Sequence, residues 1–145
     1  MLRPKEVVQL WVDAFNRHDV EAITALYHEN ATNHQVANEP VVGIEAIHTM
    51  FTSEFSTVDM TAIVENIFED GQWAILEWRD PLGVRGCGFF QVVNGKILFQ
   101  RGYWDKLSFL KPNTSSANTI RNNTGRISRG IMLPGGAIKL GERGQ

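Results

Sequence analysis

Asp80 is the side chain in this sequence that is best placed to transfer a proton. Apolar and polar residues alternate over residues 72–80, and this period of two predicts a strand. One face of that strand carries Ala74, Leu76, Trp78 and Asp80. A carboxylate at the end of an apolar stripe is partly desolvated, which suits it to act as a catalytic base. An aspartate directly before a bend is equally suited to accept hydrogen bonds from that bend, so both roles stay open.

His34 is the candidate for a second proton carrier. One carboxylate cannot accept a proton and protonate a leaving oxygen in the same step, so a lone Asp80 needs a partner. Histidine changes charge near neutral pH, and His34 lies in a short segment that reads as extended. A histidine in such a segment is also often exposed or simply hydrogen-bonded. The pairing of His34 with Asp80 is therefore one of two interpretations.

The last predicted strand offers side chains for the wall of a ligand site. One of its faces carries Leu98, Gln100, Gly102 and Trp104. Trp78 and Trp104 would form an aromatic pair that suits a flat or cyclic apolar ligand, and Gln100 would supply a polar contact. Leu76, together with Phe15 from the aromatic face of the first helix, completes the predicted ligand-binding set.

Helical and strand-like patterns occupy separate parts of the chain. Apolar residues recur at helical spacing over residues 4–17, 20–27 and 44–55. Residues 30–36 read as a short strand or extended segment. The period then changes to two, which predicts four strands over residues 57–69, 72–80, 85–94 and 96–106.

Short connectors fix how the four strands pair. Asp70 with Gly71 and Asn94 with Gly95 are dipeptides that favour two-residue hairpin turns, so consecutive strands should run antiparallel. A curved antiparallel sheet of about four to six strands would bury the apolar faces of three helices against one side. The sequence therefore predicts an α+β domain.

Composition narrows the function. The net charge of −2 gives no field that would attract nucleic acid or a membrane surface. No apolar run approaches the length of a membrane span, no apolar signal core opens the chain, and a lone cysteine cannot form an internal disulfide. The sequence shows no zinc-site spacing, so we expect no metal and no cofactor. A cytoplasmic protein fits these features.

The composition shifts after Pro112. Residues 112–145 are rich in glycine and asparagine and carry five basic residues against one acidic residue. We expect the main domain to span residues 1–111. The remainder is either a flexible tail or a hairpin around residues 134–136 that contacts a partner subunit.

Three fragments together resemble a known superfamily. They are VxxWxxAFNRHD at residues 8–19, GIEAI at residues 43–47 and FQxxxGKIxxxRxYWD at residues 90–105. Their order is similar to that of the nuclear transport factor 2-like superfamily, and within it to SnoaL-like polyketide cyclases, limonene epoxide hydrolase-like proteins and ketosteroid isomerase-like proteins. The resemblance implies a sheet curled into a cone around an apolar cavity that the helices close.

The resemblance leaves the reaction open, because members include hydrolases, isomerases, cyclases and plain binding subunits. Limonene epoxide hydrolases use an arginine between two aspartates. Asp80 matches the first aspartate, while Trp78 and Gly102 stand where the arginine and the second aspartate would lie.

Two functional hypotheses follow. In the first, the cone binds a small apolar or cyclic molecule and acts without a cofactor as an isomerase, hydrolase or cyclase with Asp80 as the base. In the second, it is a non-catalytic dimeric binding or interaction module. Either way we expect a homodimer through the outer sheet face, which would otherwise leave Ile75, Phe99 and Tyr103 in water.

Overall fold

The computed structural model describes residues 1–105, 130–133 and 136–139. The helices are α1 (Pro4–Arg17), α2 (Val20–Thr24) and α3 (Ile44–Thr57). The strands of the described residues are β1 (Tyr27–Gln35), β2 (Val41–Val42), β3 (Ile63–Asp70), β4 (Trp73–Arg79), β5 (Arg85–Val93), β6 (Lys96–Trp104), β7 (Gly130–Leu133) and β8 (Gly136–Lys139). Helices α1 and α3 and strands β4 to β6 thus form close to where the sequence pattern predicts them. The pattern predicts strand β3 from residue 57, but β3 begins at Ile63, and α3 extends to Thr57.

The main sheet has six strands in the order β2-β1-β6-β5-β4-β3. Strands β3 to β6 form the expected antiparallel meander, and Asn94 and Gly95 turn the chain between β5 and β6 with φ angles of 54° and 80°. Strand β1 pairs with β6 in parallel, so the sheet is mixed. The α+β prediction is confirmed, with one parallel strand pair added to it.

The helices cover one face of this sheet, called here the inner face. Helix α1 packs across β3, β4 and β5, while α3 packs across β1 and β2. Trp11 of α1 stacks on Phe15 at 5.2 Å between ring centroids and meets Phe90 of β5 edge-on at 5.3 Å. The inner face of β4 carries Ala74 and Leu76, which are fully buried. The core therefore lies between the helices and the inner face.

The region from α2 to β1 differs from the sequence prediction. The apolar spacing predicts a helix through residue 27, but α2 ends at Thr24 and Tyr27 begins β1. Asp19 caps α2 as expected, accepting a hydrogen bond from the Ala22 amide at 3.0 Å. The amide of Ile97 on β6 donates to the Leu26 carbonyl at 2.8 Å. Pairing with β6 therefore overrides the local helical preference.

Strands β7 and β8 form a separate antiparallel pair in the C-terminal segment, with Ile131 opposite Ile138. They lie against α3, and β8 also lies against β1. The predicted boundary at residues 111 and 112 falls outside the described residues, so the role of the segment stays a prediction. None of the described helices is long and apolar enough to cross a membrane.

Candidate functional site

Four polar side chains meet on the inner face, where the surrounding residues are mostly apolar. They are Tyr27, Asn33 and Gln35 of β1 and Gln100 of β6, called here the inner polar cluster, and each of them is at most 4% exposed. The Asn33 amide nitrogen lies 3.4 Å from the Tyr27 hydroxyl and 3.3 Å from the Gln100 side-chain oxygen. The Gln35 amide donates to the Asn33 side-chain oxygen at 3.1 Å. The cluster is thus one connected hydrogen-bond network.

Strand register brings these side chains together. Asn33 lies directly opposite Gln100 across the parallel β1–β6 pair, and Gln35 lies opposite Gly102. A β-carbon at Gly102 would lie 2.7 Å from both Cδ and Nε2 of Gln35. Glycine at this position therefore leaves the space that the Gln35 side chain occupies.

Tyr27 is the centre of the cluster. Its hydroxyl accepts a hydrogen bond from the Trp11 indole nitrogen at 3.0 Å and donates one to the side-chain oxygen of Gln100. Burial raises the pKa of Tyr27 far above its usual value, the hydrogen bonds from Trp11 and Asn33 oppose this, and the nearby carboxyl of Glu54 adds to it. Tyr27 is therefore a neutral phenol that donates to Gln100 at any physiological pH.

Glu54 of α3 lies close to this cluster. Glu54 is only 3% exposed, and burial raises the pKa of its carboxyl well above the usual value of 4.5. Within the described part of the chain, neither carboxyl oxygen of Glu54 has a hydrogen-bond partner, and neither does the side-chain nitrogen of Gln100. Unpaired buried polar atoms are rare in folded proteins, and three of the five such side-chain atoms in the described residues belong to Glu54 and Gln100.

Asp80 is 5% exposed, on the same face as Leu76 and Trp78. Its Oδ1 accepts hydrogen bonds from the amides of Leu82 at 3.0 Å and Val84 at 2.8 Å. These bonds close the bend between β4 and β5, which is the structural role that the sequence leaves open for Asp80. Both hydrogen bonds use Oδ1, so neither of them occupies Oδ2.

We expect Asp80→Ala to lower the free energy of unfolding by about 2 kcal/mol, because the Leu82 and Val84 amides would lose their acceptor. Asp80→Asn keeps a side-chain oxygen in the same place and should lose less than about half as much. Urea unfolding of both variants measures the difference. Equal losses would show that the bend does not depend on these two hydrogen bonds.

His34 lies apart from Asp80. It is half-buried and alternates along β1 with Asn33 and Gln35, so its side chain projects from the outer face. Strands β6 and β5 also separate β1 from β4, a spacing of about 14 Å at the usual distance between strands. The structure therefore does not assemble the expected proton-transfer pair.

Most of the predicted wall residues are fully buried. Phe15, Leu76 and Gln100 are fully buried, Trp78 is 2% exposed, and Trp104 is half-buried. Phe15 stacks on Trp11 and contacts the Phe55 ring edge-on. Gln100 joins the inner polar cluster, and it is the predicted ligand residue with the clearest polar role.

Sequence reasoning missed Tyr27, Asn33, Gln35 and Glu54. Tyr27 was expected in a helix, and the alternation around His34 does not reveal which face of a short strand is buried. A signal did exist for Glu54, because the buried residues Ile47, Phe51 and Glu54 follow helical spacing along α3. An acidic residue in an apolar stripe indicates an interior carboxyl.

Two other kinds of chemistry have little support in the described residues. Among them, no group of three or more histidine, cysteine, aspartate or glutamate side chains is close enough together to hold a metal ion. Burial, and to a smaller degree the charge of Glu77, raises the pKa of the Cys87 thiol. Cys87 is therefore a protonated thiol and a weak nucleophile at neutral pH.

Comparisons with known proteins agree with this architecture. A family model described as a SnoaL-like domain matches residues 8–99. An NTF2-like protein of unknown function from Cytophaga hutchinsonii is 17% identical, with a TM-score of 0.64 over 77% of this chain and 97% of that one. The search of curated protein sequences finds no match.

Two further structural neighbours are described as enzymes. An epoxide hydrolase from M. tuberculosis, described as LEH-like, is 23% identical, with a TM-score of 0.65 over 72% of this chain and 84% of that one. SalBIII, described as epoxide hydrolase/cyclase-like and linked to pyran ring formation in salinomycin, is also 23% identical, with a TM-score of 0.65 over 72% and 92% of the two chains. At these identities the similarity establishes the fold alone.

Proposed function

The chain belongs to the SnoaL-like domain family, and on that premise we propose that it binds a small, mainly apolar organic molecule between the inner face of the sheet and the helices. The observation that carries the proposal is the inner polar cluster. Small-molecule sites are mostly apolar surfaces with a few convergent polar groups that orient the ligand. Tyr27, Asn33, Gln35 and Gln100 have this arrangement among the buried aromatic residues of α1 and α3.

The inner polar cluster stabilises the fold less than apolar residues would, which supports a functional interpretation of it. Burying an amide or hydroxyl costs free energy that its hydrogen bonds only offset, whereas apolar residues of similar size would stabilise the core directly. The Gln100 side chain also keeps one nitrogen without a partner in the described residues. A ligand oxygen that accepts a hydrogen bond from this nitrogen would satisfy the buried donor.

For the chemistry we propose cofactor-independent proton transfer of the isomerase type, in which a single base removes a proton from the substrate and returns it at another position, because the hydrolase and cyclase types need a second proton carrier beside Asp80. Asp80 remains the proposed base or polar anchor, because the two hydrogen bonds of its turn both use Oδ1 and neither of them uses Oδ2. His34 is not part of the proposed site because it projects from the outer face. Trp78 and Gly102 replace the arginine and second aspartate of limonene epoxide hydrolases, so that particular dyad is absent from these positions.

An NMR titration tests ligand binding with an internal control. The indole N–H signal of Trp11 reports on the inner face, where Trp11 bonds Tyr27, while Trp73 lies on the outer face against Phe99 at 6.3 Å. We expect 2-naphthol to shift the Trp11 signal in a saturable way and to leave the Trp73 signal in place. Shifts confined to Trp73, or none with any cyclic compound tested, would contradict the proposal.

A second candidate function is a dimeric interaction module, and the outer sheet face favours it. Phe68 and Tyr103 are 55% and 44% exposed there. Arg101 lies over the rings of Phe89 and Phe99 at 5.8 and 5.3 Å. Exposed aromatic area of this kind is typical of protein contact surfaces. Sedimentation analysis of the titrated samples separates the two candidates: a stable dimer that binds no compound would favour the module.

A further inference from the structure

Glu54 is a buried carboxyl that the proposed function does not yet use. It lies on the inward stripe of α3 with Ile47 and Phe51, and its residue is 3% exposed. In the described residues its carboxyl group takes part in no salt bridge or hydrogen bond. A buried carboxyl without a partner is among the most expensive groups a core can hold, so its presence needs an explanation.

Gln100 contacts the Tyr27 hydroxyl directly, and Glu54 follows Phe51 by three residues on α3, where the Phe51 ring lies 6.2 Å from the ring of Tyr27. Gln100 accepts the hydrogen bond that this hydroxyl donates, and Glu54 is close enough for its charge to raise the pKa of Tyr27 further. The unpaired atoms of these two residues are the carboxyl oxygens of Glu54 and the side-chain nitrogen of Gln100. A neutral carboxyl can donate and accept a hydrogen bond, and the amide nitrogen can donate.

We propose that Glu54 and Gln100 bind the polar end of the ligand, and that this ligand is an uncharged molecule with a hydroxyl or carbonyl oxygen. The inference rests on the proposed function and specifies its ligand class. A ligand hydroxyl would accept a hydrogen bond from Gln100 and exchange one with the Glu54 carboxyl. A ligand carbonyl would accept from both groups.

The surroundings disfavour charged ligands. The inner polar cluster, Trp11 and Glu54 include no lysine, arginine or histidine that would neutralise a carboxylate ligand. An anion buried among them would be unpaired, at a cost of several kcal/mol. An ammonium ligand paired with an ionised Glu54 would bury both charges, and the desolvation of such a pair offsets much of its attraction.

A matched series of naphthalene compounds tests the ligand class. The series contains 2-naphthol, 2-acetylnaphthalene, naphthalene, 2-naphthoate and 2-naphthylmethylamine, and dissociation constants come from NMR titration of the Trp11 indole signal. We expect the intact chain to bind 2-naphthol and 2-acetylnaphthalene about tenfold more tightly than naphthalene, because each gains buried hydrogen bonds. The two charged compounds should bind more weakly than naphthalene.

Variants of Glu54 assign the preference to this residue. Glu54→Leu should weaken 2-naphthol binding about tenfold and leave naphthalene binding unchanged, because only the hydroxyl loses its partner. Glu54→Gln keeps hydrogen-bonding capacity and should retain most of the preference. Glu45→Gln removes an exposed carboxyl from the same helix and should change nothing.

The outcomes separate this inference from the proposed function. Equal binding of naphthalene and 2-naphthol, or tightest binding of the naphthoate or the amine, would overturn the ligand class while binding itself stands. Retention of the preference by Glu54→Leu would overturn the role of Glu54. Binding of none of the five compounds would contradict the proposed function and, with it, the inference that rests on it.

The pH dependence of stability gives a readout that needs no ligand. Other titratable groups lie near or against α3 in the described residues. The charge of Glu54 raises the pKa of Tyr27 of β1, His18 stacks on Phe55 and lies 3.6 Å from Asp59, and Glu21 of α2 pairs with His48 at 2.8 Å near the surface. Burial raises the folded pKa of Glu54 above the value of 4.5 expected in the unfolded chain. The folded state therefore binds more protons above pH 4.5, and its stability should fall as the pH rises from there towards the folded pKa.

Glu54→Gln should remove this loss of stability, so the variant should be more stable than the parent at neutral pH and equal to it below about pH 4. Urea unfolding between pH 4 and 8, with Glu45→Gln as the control, measures the change in slope. A parent and variant with parallel pH profiles would show that Glu54 is paired in the folded chain, which would remove the basis of the inference.

Discussion

Tyr27→Phe is expected to lower the free energy of unfolding by about 3 kcal/mol. The phenol hydroxyl accepts from Trp11 and donates to Gln100, and all three residues are at most 1% exposed. Without the hydroxyl, the Trp11 indole N–H is left buried with no acceptor, which costs about 1–3 kcal/mol, and among the described residues the Gln100 oxygen keeps only the Asn33 amide as a donor. Urea unfolding monitored by tryptophan fluorescence measures the loss.

Tyr103→Phe is the matched control for this prediction. Tyr103 lies on β6 but is 44% exposed on the outer face, so removal of its hydroxyl should change stability by less than about 0.5 kcal/mol. If both tyrosine variants lose equally little, the hydroxyl network around Tyr27 contributes nothing measurable. The inner polar cluster would then be a weak basis for a ligand site.

Gly86→Ala should also destabilise the domain by about 3 kcal/mol, in this case through steric overlap. A β-carbon at Gly86 would lie 2.5 Å from Cζ2 of the Trp78 ring and 2.5 Å from the backbone oxygen of Tyr103. Neither the backbone of β6 nor a buried indole ring can move without disturbing the inner face. The variant should therefore lose stability and change the near-ultraviolet circular dichroism of its tryptophans.

Gly88→Ala provides the comparison on the same strand. Its β-carbon would approach Cε1 of Phe90 to 3.2 Å, a contact that a small ring movement relieves. We expect a cost below about 1 kcal/mol for this variant. A larger loss for Gly88→Ala than for Gly86→Ala would mean that Trp78 does not pack over β5 as described.

The sequence predicts the strongly periodic elements well and predicts only part of strand β1, whose residues 30–35 were expected to be extended but whose start at Tyr27 was expected in a helix. Helix α1 and strand β4 have regular apolar spacing along their whole length, and the structure places both where that spacing predicts. Strand β1 contains Glu29, Asn30 and Asn33 and lacks a comparable pattern. Its position depends on parallel pairing with β6, a contact between distant parts of the chain that local spacing does not encode.

In the candidate site, too, the sequence predicts which residues are buried but not which residues meet. Alternation along β4 and β6 correctly assigns Leu76, Trp78 and Gln100 to the buried face. It does not reveal that Gln100 meets Tyr27 and Asn33, because those partners lie on β1. Polar residues in a sequence normally indicate exposed positions, so a buried polar network becomes visible only when the strands are placed side by side.

A crystal structure of the protein with bound 2-naphthol tests the central proposal most directly. We predict the naphthalene ring between the inner face of the sheet and the helices, with its oxygen within hydrogen-bonding distance of Gln100 or Glu54. The contrary result is a compound on the outer face, with Glu54 and Gln100 hydrogen-bonded to other parts of the chain. That result would remove the ligand site and favour the dimeric interaction module.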